Sequence, residues 1–361
     1  MTQATRRQIF GGVALGGLAT LAPALARAQT APFSWPPFGS PTGPIPRLTG
    51  HHRVIIDTDP GNDDALAILM CLDAPNLKVE AITVCPGNVR YDQEVKNALY
   101  LVELAGKAGK VPVHAGMRHP ILDKPYPTAT FIHGKDGLGR VSVPEVAQKV
   151  DPEHAVDAMR RIIKRYPGEV VIFALGGLTN LAMALLREPE IAKDLKGVLF
   201  VGGKYAGPGS APGYNVLVDP EAAHVVLTSG VPITLSGGLA PFSVMHDADF
   251  DQVATFGTAR SRFFMESNDL RRTFEKQNRG TTGSTNPDPI AVALVINPDL
   301  GTRWMQLYMQ VELSGDLTRG QLIYGANIYS GAPTPPPNVN ICLEASNTVF
   351  KTMVFDTLKK A

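Results

Sequence analysis

The chain has 361 residues, 44% of them apolar and 19% charged, which is enough to bury a sizeable core in one large domain or two. A formal net charge of +1 excludes any broad electrostatic demand for nucleic acid or an acidic partner. Three cysteines, Cys71, Cys85 and Cys342, exclude a disulfide-built scaffold; each lies in or beside an apolar run, so buried free thiols are expected.

Residues 1–28 read as a signal peptide. Arg6 and Arg7 precede a Gly/Ala/Leu-rich apolar segment that ends in an Ala-x-Ala site at Ala26 and Ala28. The paired arginines point to the twin-arginine route, which exports folded proteins and would suit unpaired thiols. A membrane-anchoring helix is the alternative, but the segment is short, so cleavage near Ala28 is expected. The mature protein would then be periplasmic or secreted, with no stable membrane anchor. Residues 29–50 are dense in proline and glycine and read as a linker. Residues 51–361 read as a single domain.

From residue 51 apolar strands alternate with amphipathic helices. VIIDTD is a strand and ALAILMCLD a helix stopped by Pro75. KVEAITV, VPVHAG, EVVIFAL, GVLFVGG and VPITLSG read as further strands. The helices between them are DQEVKNALYLVELAGKAG, PEHAVDAMRRIIKRY, LAMALLR and DPEAAHVVLTSG, the last with Asp219 as N-cap and Pro220 as first residue. Residues 203–214 and 240–285 read as loops. WMQLYMQVELSG and NVNICLEAS read as late strands and NTVFKTMVFDTLKK as a closing helix. The fold class is α/β, a mainly parallel open sheet with helices on both faces.

In such sheets ligands bind beyond the carboxyl ends of the strands. There the first strand ends in Asp57-Thr58-Asp59-Pro60-Gly61-Asn62-Asp63-Asp64, four carboxylates in eight positions. Helix capping uses one or two carboxylates, not four. Like charges so close raise one another's pKa or require a cation, and hard oxygens suit Ca²⁺ or Mg²⁺. A phosphatase built on Asp57-Thr58-Asp59 is another reading, but the continuation Pro-Gly-Asn-Asp-Asp does not fit it.

VIIDTDPGNDDALAIL resembles the signature of the inosine–uridine nucleoside hydrolase family. AITVCPGNV, FIHGKDGLG, FALGGLTNLAMAL, YNVLVDPEAAHVV and DPIAVALVINP extend the resemblance over essentially everything after residue 50. It implies a Rossmann-like nucleoside hydrolase fold over 51–361, a small-molecule nucleoside substrate, a bound Ca²⁺ and a homo-oligomer. It implies hydrolysis of the ribonucleoside N-glycosidic bond to base and ribose, with Asp59 as metal ligand and general base. Asp64, Asp288 and the Leu175 carbonyl would complete the ion's ligands. Asp63, Asn88 and Asn215 would bind the ribose hydroxyls, and His133 would line the pocket, while Asp57 orients the loop. Without the family, Asn88 is a turn residue, Asn215 satisfies loop backbone, Asp288 caps a helix and His133 packs structurally. Tyr205 and Tyr214 would stack on the base or cover the core, and His119 and His246 read as loop histidines.

The chain departs from the family's pattern at two places. Many members carry a histidine directly before the distal aspartate, where Pro287 stands, and a glutamate two residues before the asparagine, where Gly213 stands. A general acid contributes about 10²–10⁴ in rate. Either another group protonates the base or the substrate is a non-standard N-riboside whose leaving group departs easily. A non-catalytic periplasmic nucleoside-binding protein is the reading from another class.

Overall fold

The computed structural model describes residues 45–203, 212–324 and 335–360. The expected signal peptide and most of the expected linker lie outside the described residues.

Strand β1 (His52–Thr58) fixes the architecture. Val54 and Ile56 point into one apolar layer and Ile55 into a second, all without solvent contact. A strand apolar on both faces needs parallel neighbours and helices on both sides. The elements that follow supply them: α1 (Asn62–Asp73), β2 (Leu77–Val84), α2 (Tyr91–Leu104), β3 (Val113–Ala115), α3 (Thr130–His133), α4 (Ala155–Arg165), β4 (Val170–Ala174), α5 (Thr179–Arg187), β5 (Leu195–Phe200), α6 (Tyr214–Val218), α7 (Pro220–Thr228) and β6 (Ile233–Leu235). Then come α8 (Asp247–Ala254), α9 (Ala259–Arg279), α10 (Pro287–Ile296), β7 (Gly301–Leu307), β8 (Val339–Ala345) and α11 (Asn347–Leu358), with two short two-stranded ribbons beside them.

The eight-stranded sheet has the order β3-β2-β1-β4-β5-β6-β8-β7. Neighbours are parallel except β7, which runs antiparallel to β8. Helices α1, α2, α8, α9, α10 and α11 cover one face, and α4, α5 and α7 the other. The expected fold class is thus the observed one. The chain winds outward through β1, β2 and β3, then returns to β4 on the opposite side of β1. That reversal opens a crevice beyond the carboxyl ends of β1 and β4, the place where open α/β sheets bind ligands.

Local signals hold up well. Ala74, next to Pro75, is extended and ends α1. Asp219 caps α7 by accepting the Ala222 N–H at 3.0 Å, with Pro220 as the first helical residue. The three cysteines are free and buried. The late strand expected over WMQLYMQVELSG is split: β7 ends at Leu307 and a separate strand, Met309–Val311, pairs elsewhere.

The segment 240–285 is not loop. It holds α8 and the 21-residue α9. The buried stripe of α9 includes Arg260, Phe264, Ser267, Asn268, Arg271 and Glu275, which has helical spacing but is mostly polar. An apolar period therefore never forms, and the helix is invisible to hydrophobic patterning. Of the 203–214 segment, residues 204–211, including Tyr205, lie outside the described residues.

Candidate active site

The tight turn after β1 holds the acidic residues in place through its own hydrogen bonds. Asp64 accepts the Thr58 hydroxyl at 2.6 Å through Oδ1 and the Gly61 N–H at 3.0 Å through Oδ2, so it caps α1 as well as facing the crevice. Asp57, fully buried, braces the sheet by accepting Thr83 Oγ1 and Asn180 Nδ2, each at 2.8 Å. Asp59 Oδ2 accepts the Asn88 N–H at 3.0 Å, while its Oδ1 is buried with no hydrogen-bond partner. Asn88 Nδ2 donates to the Asp59 carbonyl at 2.9 Å and to Asp64 Oδ2 at 3.2 Å.

Two glycines make room for Asp59. A Cβ on Gly87 would lie 1.8 Å from Asp59 Oδ2, and one on Gly176 would lie 2.5 Å from Oδ1. The loop carrying Gly87 and Asn88 is itself fixed. Glu94, without solvent contact, accepts the Val89 N–H at 2.9 Å, and the Tyr214 hydroxyl donates to the Gly87 carbonyl at 2.9 Å. Tyr214 therefore props the loop.

Asp288, on the first turn of α10, comes back to this turn from far along the chain. One oxygen from each of Asp63, Asp64 and Asp288 lies within 4.8 Å of the others, and all three residues are buried. Asp59 stands beside this trio rather than inside it. The Leu175 carbonyl, just beyond β4, accepts a hydrogen bond from Asn215 Nδ2, which also donates to the Val201 carbonyl at 2.6 Å. The structure thus joins two expected site residues to each other. His133 is buried, and its Nδ1 accepts the Asn62 N–H at 3.2 Å and lies 3.7 Å from Asp63 Oδ1. His119 and His246 are exposed and away from the turn.

The charge balance of the site is lopsided. Burial, joined by repulsion from Asp64 and Glu94, pushes the Asp59 carboxyl well above the usual range. Burial and then Asp63 push Asp64 up to about 7, and burial with the three neighbouring aspartates pushes Asp288 well up. Asp63 goes the other way: burial opposes its charge, but the Arg271 guanidinium, 2.9 Å away, holds it below the usual range. Burial lowers His133 to about 4, so it is neutral at neutral pH, as an Nδ1 that accepts an N–H must be. These groups fit a divalent cation. The donors are all carboxylate oxygens, one Asp59 oxygen has no partner, and Arg271 alone among the described residues brings positive charge to the trio.

Arg271, Glu94, Asn180 and Glu275 were not found by sequence reasoning. Glu94 is buried with Asn97 on a helix whose other buried residues are apolar, so it gives no local signal, and Arg271 and Glu275 sit on the unrecognised α9. The two departures also have physical settings. Gly213 packs so tightly that a Cβ would lie 2.2 Å from the Gly203 nitrogen, which leaves no space there for a glutamate. Pro287 is the first residue of α10.

Residues 54–352 match the family described as inosine-uridine preferring nucleoside hydrolase. The chain is 36% identical over 272 residues to uridine nucleosidase 1 of Arabidopsis thaliana, covering 74% of this chain and 80% of that one. It is 35% identical over 276 residues to the inosine-uridine preferring nucleoside hydrolase of Crithidia fasciculata, covering 75% and 87%. Among solved structures, the purine-preferring ribonucleoside hydrolase from Gardnerella vaginalis superposes with a TM-score of 0.77 at 28% identity, over 86% of this chain and all of that one. The protein is a nucleoside hydrolase, an enzyme acting on N-glycosyl compounds, and belongs to the inosine-uridine preferring nucleoside hydrolase family.

Proposed function

We propose that the protein hydrolyses the N-glycosidic bond of ribonucleosides to free base and ribose with Ca²⁺ as its cofactor and Asp59 as general base. The observation that supports this most is the buried trio Asp63, Asp64 and Asp288 beside a carboxylate oxygen of Asp59 that has no partner. Asp59, Asp64, Asp288 and the Leu175 carbonyl would hold the ion. When bound, it would lower the pKa of a nearby water and offset the surplus negative charge. Asp59 takes a proton from that water as the sugar gains oxocarbenium character. Its readiness comes from having one oxygen anchored by the Asn88 N–H and one free. Asp63, Asn88 and Asn215 bind the ribose hydroxyls. Asn88 and Asn215 are spoken for by the turn and the Leu175 carbonyl, so they would offer the sugar their remaining polar atoms. His133 lines the pocket with Nε2, since Nδ1 is taken.

The relatives named above prefer uridine, inosine–uridine or purine substrates, so the base is the open variable. The space-filling glycine at 213 and the proline at 287 favour a riboside with an easily departing base, or a base protonated from another group. An exported, periplasmic or secreted homo-oligomer is the setting we propose, on the strength of the Arg6-Arg7 leader and the resemblance. The test is a chromatographic screen of purine, pyrimidine and pyridine ribosides with a reducing-sugar assay. Ribose release that chelation abolishes and calcium restores supports the reading. Ligand-induced thermal stabilisation with no sugar released from any riboside would instead make the protein a binder.

A further inference from the structure

Among the buried charges of helix α9, Arg271 and Glu275 have no part in the reaction described above. Arg271 is 4% exposed, and its Nη1 reaches both Asn62 Oδ1, at 2.8 Å, and Asp63 Oδ1, at 2.9 Å. One turn further on, Glu275 has no solvent contact. It accepts the Arg271 Nε–H at 3.3 Å, the Thr285 N–H at 3.1 Å and the Thr285 hydroxyl at 2.5 Å. Thr285 lies three residues before Asp288. The pair therefore spans the acidic cluster from behind: Arg271 grips the turn after β1, and Glu275 grips the segment that delivers Asp288. Asn62 ties the same turn to α9 a second time, donating through Nδ2 to the Ser267 carbonyl at 3.3 Å.

Buried ion pairs are poor sources of net stability, and their best-attested use is to fix one arrangement over others. We propose that Arg271 is a positioning residue for the riboside reaction: by pairing with Asp63 Oδ1 while donating to Asn62 Oδ1, it commits Asp63 to the sugar hydroxyls and leaves Asp64 and Asp288 to the ion. This rests on the calcium-assisted hydrolysis proposed above.

Arg271→Met keeps the stem and removes the charge; Arg271→Lys keeps the charge and loses the planar fork. Both are measured in the full chain by steady-state kinetics on uridine and inosine at saturating calcium, by calcium titration calorimetry and by thermal shift with ribose. R271M is expected to raise KM by about 10- to 100-fold, the size of one lost charge-assisted contact, and to change kcat less. It should bind calcium as tightly as before or more tightly, because Asp63 is released. R271K should recover part of the KM, and R271M should add little to Asp63→Asn. Weaker calcium binding with KM unchanged would overturn the proposal. So would a lowered Tm with KM and calcium affinity both unchanged, the pattern of a merely structural pair. If R271M fails to fold, R271K decides: an unchanged KM overturns the proposal and a raised KM with calcium affinity kept supports it. If the unsubstituted protein releases ribose from no riboside, the hydrolysis reading fails by itself. The ribose thermal shift then decides for Arg271: its loss in the variants supports the proposal and its retention overturns it.

Discussion

Two clusters of potential metal ligands stand among the described residues, and they differ in how their charge is met. Asp63, Asp64 and Asp288 are buried, and the one cation at the trio among the described residues, Arg271, pairs with Asp63. His114, Asp151 and Glu153 also gather their potential ligand atoms within 4.8 Å, yet Asp151 and Glu153 are partly exposed. Arg161 grips both oxygens of Glu153, at 2.6 to 3.2 Å, and holds its carboxyl below the usual range. Asp151 accepts the Glu153 N–H at 2.9 Å, and His114 Nδ1 faces the Glu153 carbonyl at 2.9 Å. In both places the potential ligand atoms lie within 4.8 Å of one another. What separates them is negative charge that is both desolvated and uncompensated, which only the first cluster has.

The largest effect expected from breaking this contrast is on turnover. Asp59→Asn should lower kcat by about 10²–10⁴, roughly 3–5 kcal/mol of barrier, with ribose-induced thermal stabilisation kept. Glu153→Gln should leave kinetics unchanged. Comparable losses from both would show that the unpartnered Asp59 oxygen is not what matters.

A second contrast concerns the ion itself. Calcium at a hundred times its Kd should stabilise the protein by about 2.7 kcal/mol, seen as a Tm rise of a few degrees for a chain of this size. Asp288→Asn should remove most of that rise, and Glu153→Gln should leave it intact. A calcium response that follows Glu153 instead would assign the ion to the wrong cluster here.

The smallest effect is in pH. The folded-state pKa of Asp64 is raised from 3.8 to about 7, and Asp59 and Asp288 move the same way. Without the ion, the folded protein binds protons that the unfolded chain has already lost over this window. Stability is therefore full below about pH 4 for these groups and falls as pH rises toward 7. The calcium-induced Tm rise should accordingly be larger at pH 8 than at pH 5. An equal rise at both would mean that the trio is not what the ion neutralises.

The acidic turn was legible because its parts are neighbours in sequence: strand, bend and helix start within one run from Asp57 to Asp64. Asp288 was reached only through family likeness, since nothing near NPDPIAV points to a turn more than two hundred residues earlier. Arg271 and Glu275 were missed for a different reason. They occupy core-facing positions of a helix whose buried stripe is polar, so hydrophobic periodicity had nothing to register. Sequence offered Asn88 and Asn215 both to the sugar and to the loop backbone, and the structure shows their amides holding the Asp59 and Leu175 carbonyls.

By itself the sequence determined the parallel sheet, its helical cover and the position of four aspartates at the end of β1. Strand burial, helix caps and a Pro-Gly bend are local consequences of residue type and spacing. Only the tertiary structure decided which carboxylates meet, which of them Arg271 answers, and which oxygen has no partner. Those depend on desolvation and on contacts between segments distant in the chain, and neither exists until the sheet has closed around them.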